Sequence, residues 1–224
     1  MRPSTLALPL LLIGLLVGEA TLASYLPLSK NSGDIAAPPS FLAAKLSSLG
    51  EDAFFFRSHT LALQHAGNLD GEIVPYYQMD YPHLKDWLTL LDRFDGEAEI
   101  TPMIAARLYG NSQNGADTKY VIDYLEARAL AHPLSDWRWL GQAVYLARFR
   151  LKDQARAQTL AHELGSMPIS LPSWARDLEI FVMVDRGDKQ GAKRLLAALT
   201  SDSDSANERQ WAAYYRTHVL DAAP

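Results

Sequence analysis

A period of 35 residues runs through this chain, and it restricts the possible folds more than any other feature of the sequence. Trp87, Ile122, Ala157 and Ala192 stand 35 residues apart. So do Leu90, Leu125, Leu160 and Leu195, and again Phe94, Ala129, Leu164 and Leu199. Within each segment the three columns fall at i, i+3 and i+7, which is one face of an α-helix. Pro133 with Pro168, Trp139 with Trp174, and Asp153 with Asp188 share the offset. The segments preceding the last two units also match: Trp139, Ala143, Leu146 and Ala147 correspond to Trp174, Leu178, Phe181 and Val182. Self-similarity at this spacing is the signature of one helical unit stacked on copies of itself.

Helix punctuation places the units. Asp136 reads as a start signal before Trp137–Arg150, Thr101-Pro102 as an N-cap followed by proline, and Pro172-Ser173 as a further start. Gly67, Gly96, Gly110, Pro133, Gly165 and Gly187 supply the stops. The expected pairs are 52–66 with 82–94, 101–110 with 116–131, 136–150 with 153–164, and 173–186 with 188–199. A helix at 206–219 suits a terminal cap, and Phe41–Leu49 caps the other end. No alternating strand pattern stands out. The best candidate, Ile73–Tyr77, is short and contains Pro75.

The segments LKDQARAQTLAHEL and RGDKQGAKRLLAAL resemble the start of the second helix in tetratricopeptide repeats (TPR). Asp153 with Ala157, and Asp188 with Ala192, fill the places of that family's Gly-Asp-x-x-x-Ala pattern. YLEARALAHPLSDW is similar to the end of one repeat, with Pro133 as its closing proline, and the start of the next. The resemblance spans about residues 50–200. It departs from the family at Tyr145 and Ile180, where a small residue is usual, and in the insertion Gly67–Tyr81. It implies an all-α curved solenoid of about four helix hairpins plus a capping helix. Its concave side would receive peptides or partner helices.

From Leu6 to Val17 only Pro9 and Gly14 interrupt a run of Leu, Ala, Ile and Val, and Arg2 precedes it. Extended to Leu28, the run reaches the roughly 20 residues that cross a bilayer. The alternative is a secretory signal cleaved after Ala23. Both place the body outside the cytoplasm, because the short Arg2-bearing head stays inside. The organisation is then an anchor or signal at 1–28, a linker at 29–40 and a helical-repeat domain at 41–224. The expected location is a bacterial-type inner membrane with the soluble body in the periplasm.

Composition excludes several function classes. The chain has 224 residues, a net charge of −5 and no cysteine. It therefore lacks disulfides, thiolate metal sites and cysteine nucleophiles, as well as the basic footprint of a nucleic-acid binder. His162-Glu163 begins like a zinc-protease motif, but position 166 is Ser, not the second histidine. His83 and Asp86 lie three residues apart without an evident third ligand. The stretch 111–115 lacks nucleophile-elbow spacing. No catalytic, cofactor or metal residue is nominated, and the expected role is a protein-binding scaffold or assembly adaptor. The alternative is an accessory subunit of an inner-membrane complex.

Two surfaces are candidates for the partner. The insertion carries Tyr76, Tyr77 and Tyr81, rings of the kind that anchor interfaces. In the third hairpin, the face opposite Trp139–Leu146 carries Arg138, Gln142, Tyr145 and Arg148. The next hairpin offers Arg176, Asp177 and Glu179 in similar places.

Overall fold

Short side chains that bond to the backbone three residues ahead set the helix starts. Ser40, Asp80 and Ser205 accept from the N–H groups of Ala43, His83 and Glu208. Asp153 accepts from Arg156 at 2.9 Å and Asp188 from Gly191 at 2.8 Å. Each satisfies an N–H group that has no partner inside the helix. The computed structural model describes residues 35–69, 72–201 and 205–221, with positions 9, 13, 14 and 17 of the N-terminal segment.

The fold is all-α. The helices are α1 (Phe41–Ser47), α2 (Asp52–His65), α3 (Tyr81–Asp92), α4 (Ile100–Arg107) and α5 (Thr118–Ala131). Next come α6 (Pro133–Leu146), which runs into a π-turn at Ala147–Leu151, and α7 (Gln154–Gly165). The last are α8 (Ser173–Arg176), α9 (Leu178–Asp185), α10 (Lys189–Ser201) and α11 (Ala206–Tyr215), with a second π-turn at Arg216–Leu220. The insertion holds a small antiparallel ribbon, Asn68–Leu69 against Glu72–Ile73, and a 3-10 turn at Tyr76–Gln78. The strand therefore ends at Ile73, ahead of Pro75. Among the described residues no helix is long and apolar enough to cross a membrane. The Leu-rich run and its anchor or signal reading lie almost wholly outside the described residues.

Packing is local in sequence. Helix α2 packs on α3 and α4, α3 on α4 and α5, α4 on α5 and α6, and α5 on α6. Beyond them α6 packs on α7, α7 on α8 and α9, α9 on α10, and α10 on α11. The three periodic columns supply much of the seam. Ile122, Leu125, Ala129, Ala157, Leu160 and Leu164 are buried, while Trp87, Phe94, Leu195 and Leu199 at the two ends are half-buried. Helices in the middle of the order have neighbours on both sides, and those near the ends on one.

Several expected boundaries moved. Asp136 is not an N-cap: α6 begins at Pro133, in the position where a missing N–H costs nothing, and Asp136 is buried in the first turn. The expected helix 173–186 is broken at Asp177 into α8 and α9. The linker expected at 29–40 is held at its end, because Ile35 is buried. The Ile35 carbonyl lies 2.8 Å from His83 Nδ1, and Trp87 Nε1 donates to the Ala36 carbonyl at 2.8 Å.

The two segments that end in Asp153 and Asp188 turn by the same device with different residues. Gly187 sits at φ +80 and closes its helix with the N–H of Asp188 returning to the carbonyl of Met183 at 2.9 Å. At the matching place Lys152 takes φ 58, ψ 29, and the N–H of Asp153 returns to Ala147 at 2.9 Å. A Cβ is crowded in this left-handed region. Lys152→Gly is therefore expected to raise stability by about 0.5–1 kcal/mol, net of glycine's unfolded-state entropy. Chemical denaturation checks this, and an unchanged or lower midpoint would count against strain at Lys152.

Candidate functional site

Three hollows lie along the side built by α4, α6, α8 and α9, which belong to the first helices of the successive pairs, by the capping helix α11, and by the insertion. The first, about 400 Å³, opens beside Val74, Pro75, Tyr76 and Tyr77 and reaches Asn111. The second, about 400 Å³, lies between Arg107 and Asn111 on one side and Arg138, Gln142 and Tyr145 on the other, with Trp174 and Leu178 at its end. The third, about 460 Å³, is walled by Trp174, Phe181 and Trp211 with Asp177 and Glu208. Asn111 belongs to the first and second hollows, and Trp174 to the second and third. The hollows are therefore consecutive parts of one face.

The insertion is shaped by a glycine turn. Gly67 has φ +82, and its carbonyl accepts from Val74 N–H at 2.7 Å. A Cβ there would meet the Val74 carbonyl oxygen at 2.8 Å. This fold-back delivers Tyr76, whose ring meets Tyr109 edge-on at 5.5 Å, and leaves Tyr77 exposed. Tyr81 is different. It is 1% exposed, and its hydroxyl donates to the Tyr109 carbonyl at 3.0 Å. Burial pushes its pKa up to about 12. Tyr81 is thus a core residue that ties the insertion to the 3-10 turn Tyr109–Asn111 after α4, and only Tyr76 and Tyr77 of the three tyrosines reach the face.

In the second hollow, Arg138, Gln142 and Tyr145 fall at i, i+4 and i+7 on α6 and share one side, as their spacing requires. Arg150 Nη2 donates to Asn111 Oδ1 at 2.8 Å, which steadies the junction with the first hollow. Arg148, the fourth residue expected here, points elsewhere. It bonds Asp185 at the end of α9 and lies 4.7 Å over the Phe149 ring, so it fastens the π-turn of α6 to the next pair. Its neighbour Phe149 stands 5.0 Å from Tyr145.

The third hollow holds the least expected chemistry. The offset pairing Trp174 with the buried Trp139 implies a core ring, yet Trp174 is 54% exposed. The break at Asp177 shortens α8 to a single turn, and Trp174 leans on Trp137, 5.6 Å away, instead of entering the seam. Asp177 is only 7% exposed; its backbone N–H donates to the Ser173 carbonyl at 2.8 Å, while no hydrogen bond or ion pair joins its carboxylate to another described residue. Burial raises its pKa to about 6, with Arg176 working against the rise and Glu208 adding to it. Glu208 is held by Arg176 Nη2 at 2.8 Å and by the Ser173 hydroxyl. Glu179, expected beside Asp177, faces α7, where His162 Nδ1 lies 3.1 Å away.

Trp174, Phe181, Trp211 and Glu208 were not nominated from the sequence. Their apolar spacing reads as core, and the one departure in the pattern is the paired Pro172-Ser173 start followed so soon by a carboxylate. His83 lies 3.1 Å from Asp80, and no ion pair joins it to Asp86 among the described residues. Among the described residues no group of three metal-ligating side chains converges. Comparison of the chain with protein-family models, with curated proteins and with solved structures found no match.

Proposed function

We propose that this chain is a membrane-tethered, TPR-like helical scaffold that binds other proteins, with the partner lying along the face of the three hollows. The observation that carries the reading is the continuity of that face. Tyr77, Tyr145 and Trp174 stand exposed along it, and the hollows between them share Asn111 and Trp174. Exposed aromatic rings beside concave space are what a protein interface uses as anchors. We read the chain as a binding protein, not an enzyme. In this reading the Leu-rich N-terminus holds the body at the periplasmic side of a bacterial-type inner membrane, and the tether only raises local concentration.

One observation favours the second reading, an accessory subunit held inside a membrane complex. Leu42, Leu46 and Leu49 on and after α1, and Phe54 on α2, are exposed at the end of the fold that follows the N-terminal segment. Phe54 is not part of the core its neighbours Phe55 and Phe56 join. Such side chains suit contact with another subunit or with lipid.

Purification of the full chain in mild detergent, followed by mass spectrometry, separates the two. A scaffold loses its co-purifying partner when Gln142, Tyr145 and Trp174 are changed together to Ala, and keeps it when Leu42, Leu46 and Leu49 become Ser. An accessory subunit gives the opposite pattern. Turnover of a small molecule by the purified chain, with no protein recovered, would refute both.

A further inference from the structure

We infer that the third hollow receives a basic side chain, a lysine or arginine presented by the bound partner. This deepens the scaffold reading and rests on it for the source of the cation.

A buried carboxylate without a partner is costly, and folded chains pair such groups or neutralise them. Asp177 is more than nine-tenths buried and borders the cavity, and no hydrogen bond or ion pair joins its carboxylate, which keeps contact with the open space, to another described residue. Arg176, whose charge acts on Asp177, donates its Nη2 to Glu208. Two carboxylates thus line the hollow, Asp177 and Glu208, and Arg176 bonds the second of them. Its remaining walls are aromatic: Trp174 on one side, with Phe181 and Trp211 meeting edge-on at 6.2 Å on the other. Ring faces attract cations, most strongly where water is excluded. An apolar stem lying between rings with a charged head at a carboxylate is the shape of a lysine or arginine side chain. A cavity of about 460 Å³ has room for one such chain.

The carboxylate also makes the site pH-dependent. The charged groups acting on Asp177 are Arg176 and Glu208. Asp177 is ionised above about pH 6 and neutral below it, so the attraction for a cation fades as pH falls through that value.

The test uses the full-length chain in a non-ionic detergent, titrated with N-acetyl-lysine methylamide and with N-acetyl-norleucine methylamide, which has the same stem without charge. Binding is read by ligand-observed NMR. The lysine probe is expected to bind about tenfold more tightly at pH 7.5, the scale of a partly desolvated cation–ring contact with a carboxylate behind it. Asp177→Asn and the exposed Trp174→Ala should each erase most of that preference, as should pH 5. Asp177→Asn should melt at or above the unmodified chain at pH 7.5, since it removes a disfavoured charge, and this separates lost binding from lost fold. Equal binding of the two probes, an unaltered preference in Asp177→Asn, or no saturable binding of either would overturn the inference. Choline binding more tightly than the lysine probe would reassign the hollow to a free organic cation and also overturn it. None of these outcomes bears on partner capture by the full chain, which tests the scaffold reading separately.

Discussion

Arg128→Met is expected to cost about 3–5 kcal/mol, because it strips the only guanidinium from a buried cluster of carboxylates and carbonyls. Arg128 is 4% exposed. Its Nε donates to Asp136 at 2.8 Å and its Nη1 to Asp92 at 2.6 Å. Nη2 reaches the carbonyls of Gly96 and Ala98 at 2.8 and 2.9 Å. Thr101 completes the cluster by donating to Asp92 at 2.7 Å. One side chain on α5 thereby fastens α3, the α3–α4 connection and the first turn of α6. Burial raises the pKa of Asp92, and the guanidinium is the main influence lowering it. Without Arg128 the Asp92 carboxylate keeps the raising effect of burial and loses its main counterweight, so it tends to protonate on folding and the unfolded chain releases a proton that the folded one keeps. The loss is then largest at pH 7 and shrinks as pH falls toward 4. Adding Asp136→Asn to Arg128→Met should restore part of the stability. Thermal melts at pH 7 and pH 4 test this. A midpoint at pH 7 within a degree or two of the unmodified chain would show that the cluster is dispensable.

The second large effect is expected at Leu160. Leu160→Asp places a charge at a position of 0% exposure on α7, in the seam with α6. Deleting a buried leucine costs about 2–5 kcal/mol, and the stranded carboxylate adds to that. A loss on the order of 5 kcal/mol competes with the whole stability of an ordinary domain. Leu195, in the same column, is half-buried in α10, so Leu195→Asp is expected to cost clearly less. Thr159→Asp, on the exposed side of α7, should change stability by about 0.5 kcal/mol at most. Circular dichroism with denaturant titration ranks the three. Equal losses at Leu160 and Leu195 would remove the distinction between interior and terminal units, and equal tolerance at all three would remove the buried seam.

The all-α class, the helix order and the buried seam were legible in the chain itself. Each depends on short-range regularities: a side-chain oxygen three residues before its N–H partner, an apolar face every three to four residues, a 35-residue recurrence of that face. The matching caps at Asp153 and Asp188 and the buried run Leu125, Leu160 are direct products of those rules. Only the tertiary structure decided where Arg128 finds its carboxylates, since Asp92 lies 36 residues back and nothing periodic links them. It also decided that Tyr81 is core and Tyr77 surface, because the fold-back at Gly67 turns one ring inward and leaves the next out. The third hollow is the clearest case. Trp174 has the spacing of a seam residue, but a helix break three residues later redirects it, and the space it borders exists only where α8, α9 and α11 meet. Local pattern determines which face of a helix is apolar. How far the neighbouring helix stands from that face is set by the packing of both, and that gap is what makes a site.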